Sequence, residues 1–106
     1  MEKDRICEKT VSSVKTTIDN VLSERGSVYG DFRTQADLCQ LLKDDVRNQG
    51  NWQKLQPYEK EAIDMILHKI ARLVNGGGGS KHIDTVVDLQ GYSKLIQDEY
   101  ERIGNV

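Results

Sequence analysis

The stretch Glu61-Ala62-Ile63-Asp64-Met65-Ile66-Leu67-His68-Lys69-Ile70-Ala71-Arg72-Leu73-Val74 decides the fold. Its apolar residues wrap most of the way round a helix instead of forming one stripe, and a helix of that kind is central and heavily buried. Its polar residues are therefore the informative ones. Glu61, Asp64, His68 and Arg72 are spaced three, four and four apart, so they share one face, with Lys69 at its edge. Upstream, Pro57 suits the first turn of this helix, where its missing N–H leaves no intrahelical bond unmade. Glu59 and Glu61 then put negative charge near the N-terminal end of the helix dipole. Downstream, Asn75 leads into Gly76-Gly77-Gly78-Gly79-Ser80, a flexible loop over 76–80 with high backbone freedom, either natural or an engineered replacement for a longer one.

Three further helices follow from the 3.6-residue period, and no stretch offers a period of two. The fourth helix is expected over 82–103, with Val86, Leu89, Tyr92, Ile96, Tyr100 and Ile103 inward. The second, over 32–48, turns Phe32, Ala36, Cys39, Leu42 and Val46 inward, and Asp31 is placed to cap it. The first, over 3–23, carries Cys7, Val11, Val14, Ile18 and Val21 at alternating spacings of four and three, opposite a solvated face of Lys9, Ser13, Thr16 and Asn20. The glycines of Arg25-Gly26-Ser27-Val28-Tyr29-Gly30 are expected to interrupt it. Trp52 and Leu55 read as a short turn over one end. The expectation is all-α: residues 1–106 as one domain, a four-helix bundle with helices over 3–23, 32–48, 57–75 and 82–103.

The length of 106 residues suits one core and is too short for two domains. With 15 Lys+Arg against 17 Asp+Glu the net charge is −2, which disfavours a whole-surface grip on nucleic acid or an anionic membrane and leaves room for a local basic pocket. No apolar run approaches a membrane span, and MEKDRICEKT is charged where a signal peptide is apolar, so a soluble, intracellular protein is expected. Cys7 and Cys39 fit no zinc spacing and read as small core residues.

Two readings compete for the polar face. In one, Asp84 and Asp88 pair with Lys69 and Arg72 and hold the last two helices in register, which is worth little. In the other, Lys69 and Arg72 grip a phosphate, Arg72 through a bidentate fork, and the carboxylates take Mg²⁺ or ribose hydroxyls. Gly91, inside a helix, costs about 1 kcal/mol relative to alanine and so implies that a neighbouring helix or a ligand comes close. Tyr92 beside it, and Tyr29 in another glycine-flanked segment, read as packed rings or as stacking platforms for a base. His82, just after the glycine run, is expected in solvent; His68 is either a satisfied core imidazole or a general base.

Glu24-Arg25-x3-Tyr29-Gly30-Asp31-Phe32, Lys69-Ile70-Ala71-Arg72 and Asp84-x3-Asp88-Leu89-x-Gly91-Tyr92 together resemble a family of small α-helical bacteriophage proteins. That family carries an Arg…Tyr-Gly segment, a Lys-x-x-Arg on a long helix and an Asp-x3-Asp-x2-Gly-Tyr helix. The resemblance covers most of residues 24–96. More distantly the chain is similar to all-α nucleoside triphosphate pyrophosphatases of the MazG type, which hold Mg²⁺ with a Glu-x-x-Glu and a Glu-x-x-Asp. Here Glu61-x2-Asp64 is present, but neither of the first two helices has a Glu-x-x-Glu.

The resemblance thus implies a non-catalytic nucleotide-binding phage protein of the host cell cytoplasm. Its role would be to sequester a host immune signalling nucleotide. Ligand contacts would come from Arg25, Tyr29, Lys69, Arg72, Asp84, Asp88 and Tyr92, with no catalytic residue and no cofactor. The alternatives are a Mg²⁺-dependent pyrophosphatase with Glu61 and Asp64 as metal ligands, and a protein-binding inhibitor of a host factor. About 39 hydrophobic residues, 37% of the chain, make a thin core, so a homo-oligomer with its axis near the third or fourth helix is expected.

Overall fold

The computed structural model describes residues 5–104, and side-chain surroundings from residue 17 onward. Four helices form: α1 Arg5–Tyr29, α2 Phe32–Arg47, α3 Pro57–Asn75 and α4 Ile83–Gly104. Short 3₁₀ turns at Trp52–Lys54 and Ser80–His82 precede α3 and α4, and no strand occurs among the described residues. The expected starts of α2 and α3 are met, whereas the start of the first helix at residue 3 lies outside the described residues. So do the surroundings of Cys7, Lys9, Val11, Ser13, Val14 and Thr16.

α3 lies between α2 and α4, antiparallel to both. Arg47–Asp64 at 3.0 Å, Cys39 Sγ to His68 Nδ1 at 3.8 Å and Asn75 against the Asp31 carbonyl fix its register on α2. Lys69–Asp88 and the Tyr100–Glu59 hydrogen bond fix its register on α4. The Glu59 carboxylate also accepts the Gln56 N–H at 2.7 Å, tying down the entry to α3 that Pro57 begins. Asp31 caps α2 as expected, its carboxylate accepting the Thr34 N–H at 3.0 Å.

Three expectations are corrected. Gly26 does not interrupt the first helix; the helix runs on to Tyr29, since one interior glycine costs only about 1 kcal/mol, and stops at Gly30, whose φ is +83°. α3 is central but not heavily buried, with only Ala62 and Ala71 fully enclosed. And α1 does not lie along the others as the fourth member of a bundle. It meets α2 and α3 near its C-terminal end, and every described side chain from Thr17 to Ser27 is exposed.

Three chain segments meet at the C-terminal end of α3. Gly77 N–H to the Val74 carbonyl and Gly78 N–H to the Leu73 carbonyl, both 3.1 Å, end the helix, and Gly77, Gly78 and Gly79 all take positive φ. Asn75 Nδ2 donates to the carbonyls of Tyr29 at 2.8 Å and Asp31 at 2.9 Å, clamping the α1–α2 turn onto α3. Gly76 closes the junction: a β-carbon there would lie 2.3 Å from both the Val28 carbonyl oxygen and His82 Cε1.

Candidate functional site

The junction places Tyr29 between two side chains. The Arg72 guanidinium carbon sits 4.0 Å from the centroid of the Tyr29 ring, and the His82 imidazole packs on that ring at 5.6 Å with planes tilted by 59°. His82 is 1% exposed, so the expectation that it stands in solvent is wrong. The left-handed glycines turn the chain back onto α3, and the missing side chain of Gly76 leaves the slot that the imidazole fills. Among the described residues neither ring nitrogen has a hydrogen-bond partner.

Along α3, toward its N-terminus, the same flank carries His68 one turn from Arg72. Burial, followed by the positive charges of Arg72, Lys43 and Lys69, holds the His68 imidazole below its ordinary pKa of 6.5. Three cations thus bear on one half-buried ring. Lys69 is 14% exposed and paired to Asp88 at 2.9 Å, which is the ladder contact expected between α3 and α4. Arg72 has no carboxylate partner among the described residues and stays half-exposed, its guanidinium lying on Tyr29. A planar cation held on an aromatic face, with N–H groups free of carboxylate, suits an anion with oxygens in a fork, such as a phosphate.

The remaining expected ligand residues do not all converge here. Arg25 is exposed on α1, one turn before Tyr29, and Asp84 is exposed on the first turn of α4, with no ion-pair partner among the described residues. Tyr92 lies in a separate cleft of about 310 Å³ between α3 and α4, lined by Tyr58, Glu61, Ala62, Leu95, Ile96 and Glu99. Glu61 faces that cleft while Asp64 faces α2, 3.0 Å from Arg47. The two carboxylates therefore do not fit a shared Mg²⁺, and no group of three His, Cys, Asp or Glu among the described residues is placed to hold a metal ion. Gly91 has nothing of this chain within 4 Å of where a β-carbon would stand, so no neighbouring helix explains it.

Two contributors to this region were not expected from the sequence, the basic Lys43 and the neutral Asn75. Lys43 belongs to α2, and only the antiparallel register brings it to His68; a basic residue one turn after Cys39 is the sole trace. Asn75 read as the place where a helix stops, and its side-chain clamp depends on a turn 44 residues earlier in sequence.

No helix among the described residues is long and apolar enough to cross a membrane. Comparison with protein-family models, with curated proteins and with solved structures finds no match.

Proposed function

We propose that this chain binds a nucleotide without hydrolysing it, with the phosphate taken by Arg72 where it lies on Tyr29, one turn from His68. The observation that carries this reading is Arg72, seated 4.0 Å over the Tyr29 ring with no carboxylate partner among the described residues. A structural arginine normally finds a carboxylate, whereas this one is oriented by an aromatic face that leaves its N–H fork available. The divergence of Glu61 and Asp64 supports binding over catalysis. The resemblance to phage proteins supplies the role: the ligand is a host immune signalling nucleotide, withheld from its effector in the cytoplasm of the infected cell.

The test is a thermal-shift panel of linear, cyclic and ADP-ribose-like nucleotides, with recovery of the ligand after heat release. A ligand at 100 times its dissociation constant adds about 2.7 kcal/mol of stability. The expected result is one class of nucleotide that stabilises the protein and is recovered intact. Stabilisation by none overturns the reading, and Mg²⁺-dependent release of pyrophosphate replaces it with the hydrolase.

A further inference from the structure

From Thr17 to Ser27 every described side chain of the first helix is exposed. Ile18, Val21 and Leu22 are 52%, 41% and 62% exposed, although they continue the helix face whose last turn, Val28 and Tyr29, packs at the α3 junction. The residues of that face follow a seven-residue repeat in the sequence: Val11, Ile18 and Arg25 at one position, Cys7, Val14, Val21 and Val28 at the other. Such a repeat across three heptads suits a helix that winds around a partner helix. α2 carries the same spacing at Phe32, Cys39 and Val46 while lying on α3, so it is the exposure of Ile18, Val21 and Leu22 together with the repeat that marks the α1 face as unpartnered.

Area gives the occupant. A monomer of 12.0 kDa exposes about 6,000 Å². This chain exposes 7752 Å², and its radius of gyration is 19.1 Å where about 13 Å is usual for its length. Two copies that each covered about half of that excess along α1 would bury about 1,800 Å² together, the size of a specific, stable interface. The rival surface is the outer face of α4, where Val86 and Val87 are exposed beside Gly91; there the apolar run is cut by Gln90 and Lys94.

We infer that α1 pairs with α1 of a second copy of this chain, antiparallel, to form a two-fold dimer. The direction follows from Arg25. Parallel helices would set Arg25 against Arg25 at the seam, like charges face to face, while an antiparallel pair centred on residue 16 sets Arg25 against Cys7, Val21 against Val11 and Ile18 against Val14. The two α2–α4 layers then stand at opposite ends of the paired helices.

Sedimentation equilibrium of the full chain is expected to give twice 12.0 kDa at 50 μM, and the Ile18→Asp, Val21→Asp double variant to give the monomer mass. Val87→Asp on α4 is expected to leave the dimer intact. A monomeric parent, a double variant that keeps the dimer, or loss of the dimer in Val87→Asp alone overturns the inference. Orientation is read from thiols: in an Arg25→Cys variant the introduced thiol is expected to cross-link two chains through Cys7 on oxidation, and adding Cys7→Ser is expected to abolish the cross-link. A cross-link that survives Cys7→Ser means parallel helices and overturns the antiparallel pairing.

Discussion

Arg72 and His68 report on the same electrostatic field from opposite sides. Arg72→Lys keeps the charge and loses the planar fork, so nucleotide affinity should fall at least tenfold, about 1.5–3 kcal/mol for a charge-assisted hydrogen bond. Stability of the free protein should fall by no more than about 1 kcal/mol, the scale of a cation–π contact. Isothermal titration and thermal melts separate the two, and equal losses would mean that Arg72 serves the fold alone. His68 provides an independent reading. Its pKa is lowered in the folded state, by burial first and by Arg72, Lys43 and Lys69 next, so the unfolded chain binds more protons near pH 6. Its contribution to stability is therefore whole above pH 6.5 and is lost as pH falls below that value toward the folded pKa. His68→Gln should flatten that part of the stability profile, seen as melting temperature against pH from 7.5 to 5. A bound phosphate would offset the three cations and raise the His68 pKa, so imidazole NMR titration with and without nucleotide should show an upward shift; no shift would place the ligand elsewhere. Of these groups the sequence offered Lys69 and Arg72 through their i, i+3 spacing. It could not offer Lys43, or the separation of Tyr92 from Arg72, because both depend on which helix lies on which flank of α3.

At the scale of elements, the helices were legible where their ends have their own chemistry. Asp31, Pro57 and the glycine run mark boundaries because a cap, a missing N–H and left-handed backbone are local requirements that the chain meets without tertiary help. Asp31→Ala should therefore cost about 1 kcal/mol, measured by urea denaturation, through loss of the bonds that its carboxylate accepts from the Thr34 N–H and hydroxyl. Gly26 misled because a glycine signals permission for a turn, and what ended α1 was Gly30, with positive φ and Asn75 pressed against it: a β-carbon at Gly30 would be 2.7 Å from the Asn75 carbonyl. His82 misled for the converse reason, since a histidine after a flexible run is buried only if the run folds back onto something shaped to receive it. Gly76 is that shape. Gly76→Ala should displace His82 and destabilise the chain more than Gly91→Ala, which meets nothing and, in a helix interior, should stabilise by up to about 1 kcal/mol. If the two variants melt alike, the packing of His82 against α3 is not what closes this end of the molecule.

The whole molecule is 63 × 29 × 28 Å, long for its mass, and its enclosed apolar side chains among the described residues are only Cys39, Trp52, Ala62 and Ala71. Among the described residues twelve large hydrophobic side chains, from Ile18 to Ile103, stand in the open, a distribution that a single chain of this size does not sustain comfortably. The thin core expected from composition is thus real: three of those twelve side chains, Ile18, Val21 and Leu22, lie on α1, which does not join a bundle, and the other nine lie on α2, α3 and α4. Stability should then depend on protein concentration, because a partner that binds only the folded chain shifts unfolding by mass action. For a dimer that unfolds to monomers, each tenfold dilution removes about 1.4 kcal/mol per mole of dimer from the driving force for staying folded. Differential scanning calorimetry from 200 μM down to 2 μM should show the melting temperature falling steadily with dilution. The Ile18→Asp, Val21→Asp variant should melt lower and at a temperature independent of concentration, its α2–α3–α4 layer still held by the Asn75 clamp and the Lys69–Asp88 and Glu59–Tyr100 contacts. A parent protein whose melting temperature ignores dilution over that range would mean that the three-helix layer is stable alone and that α1 extends from it unpaired.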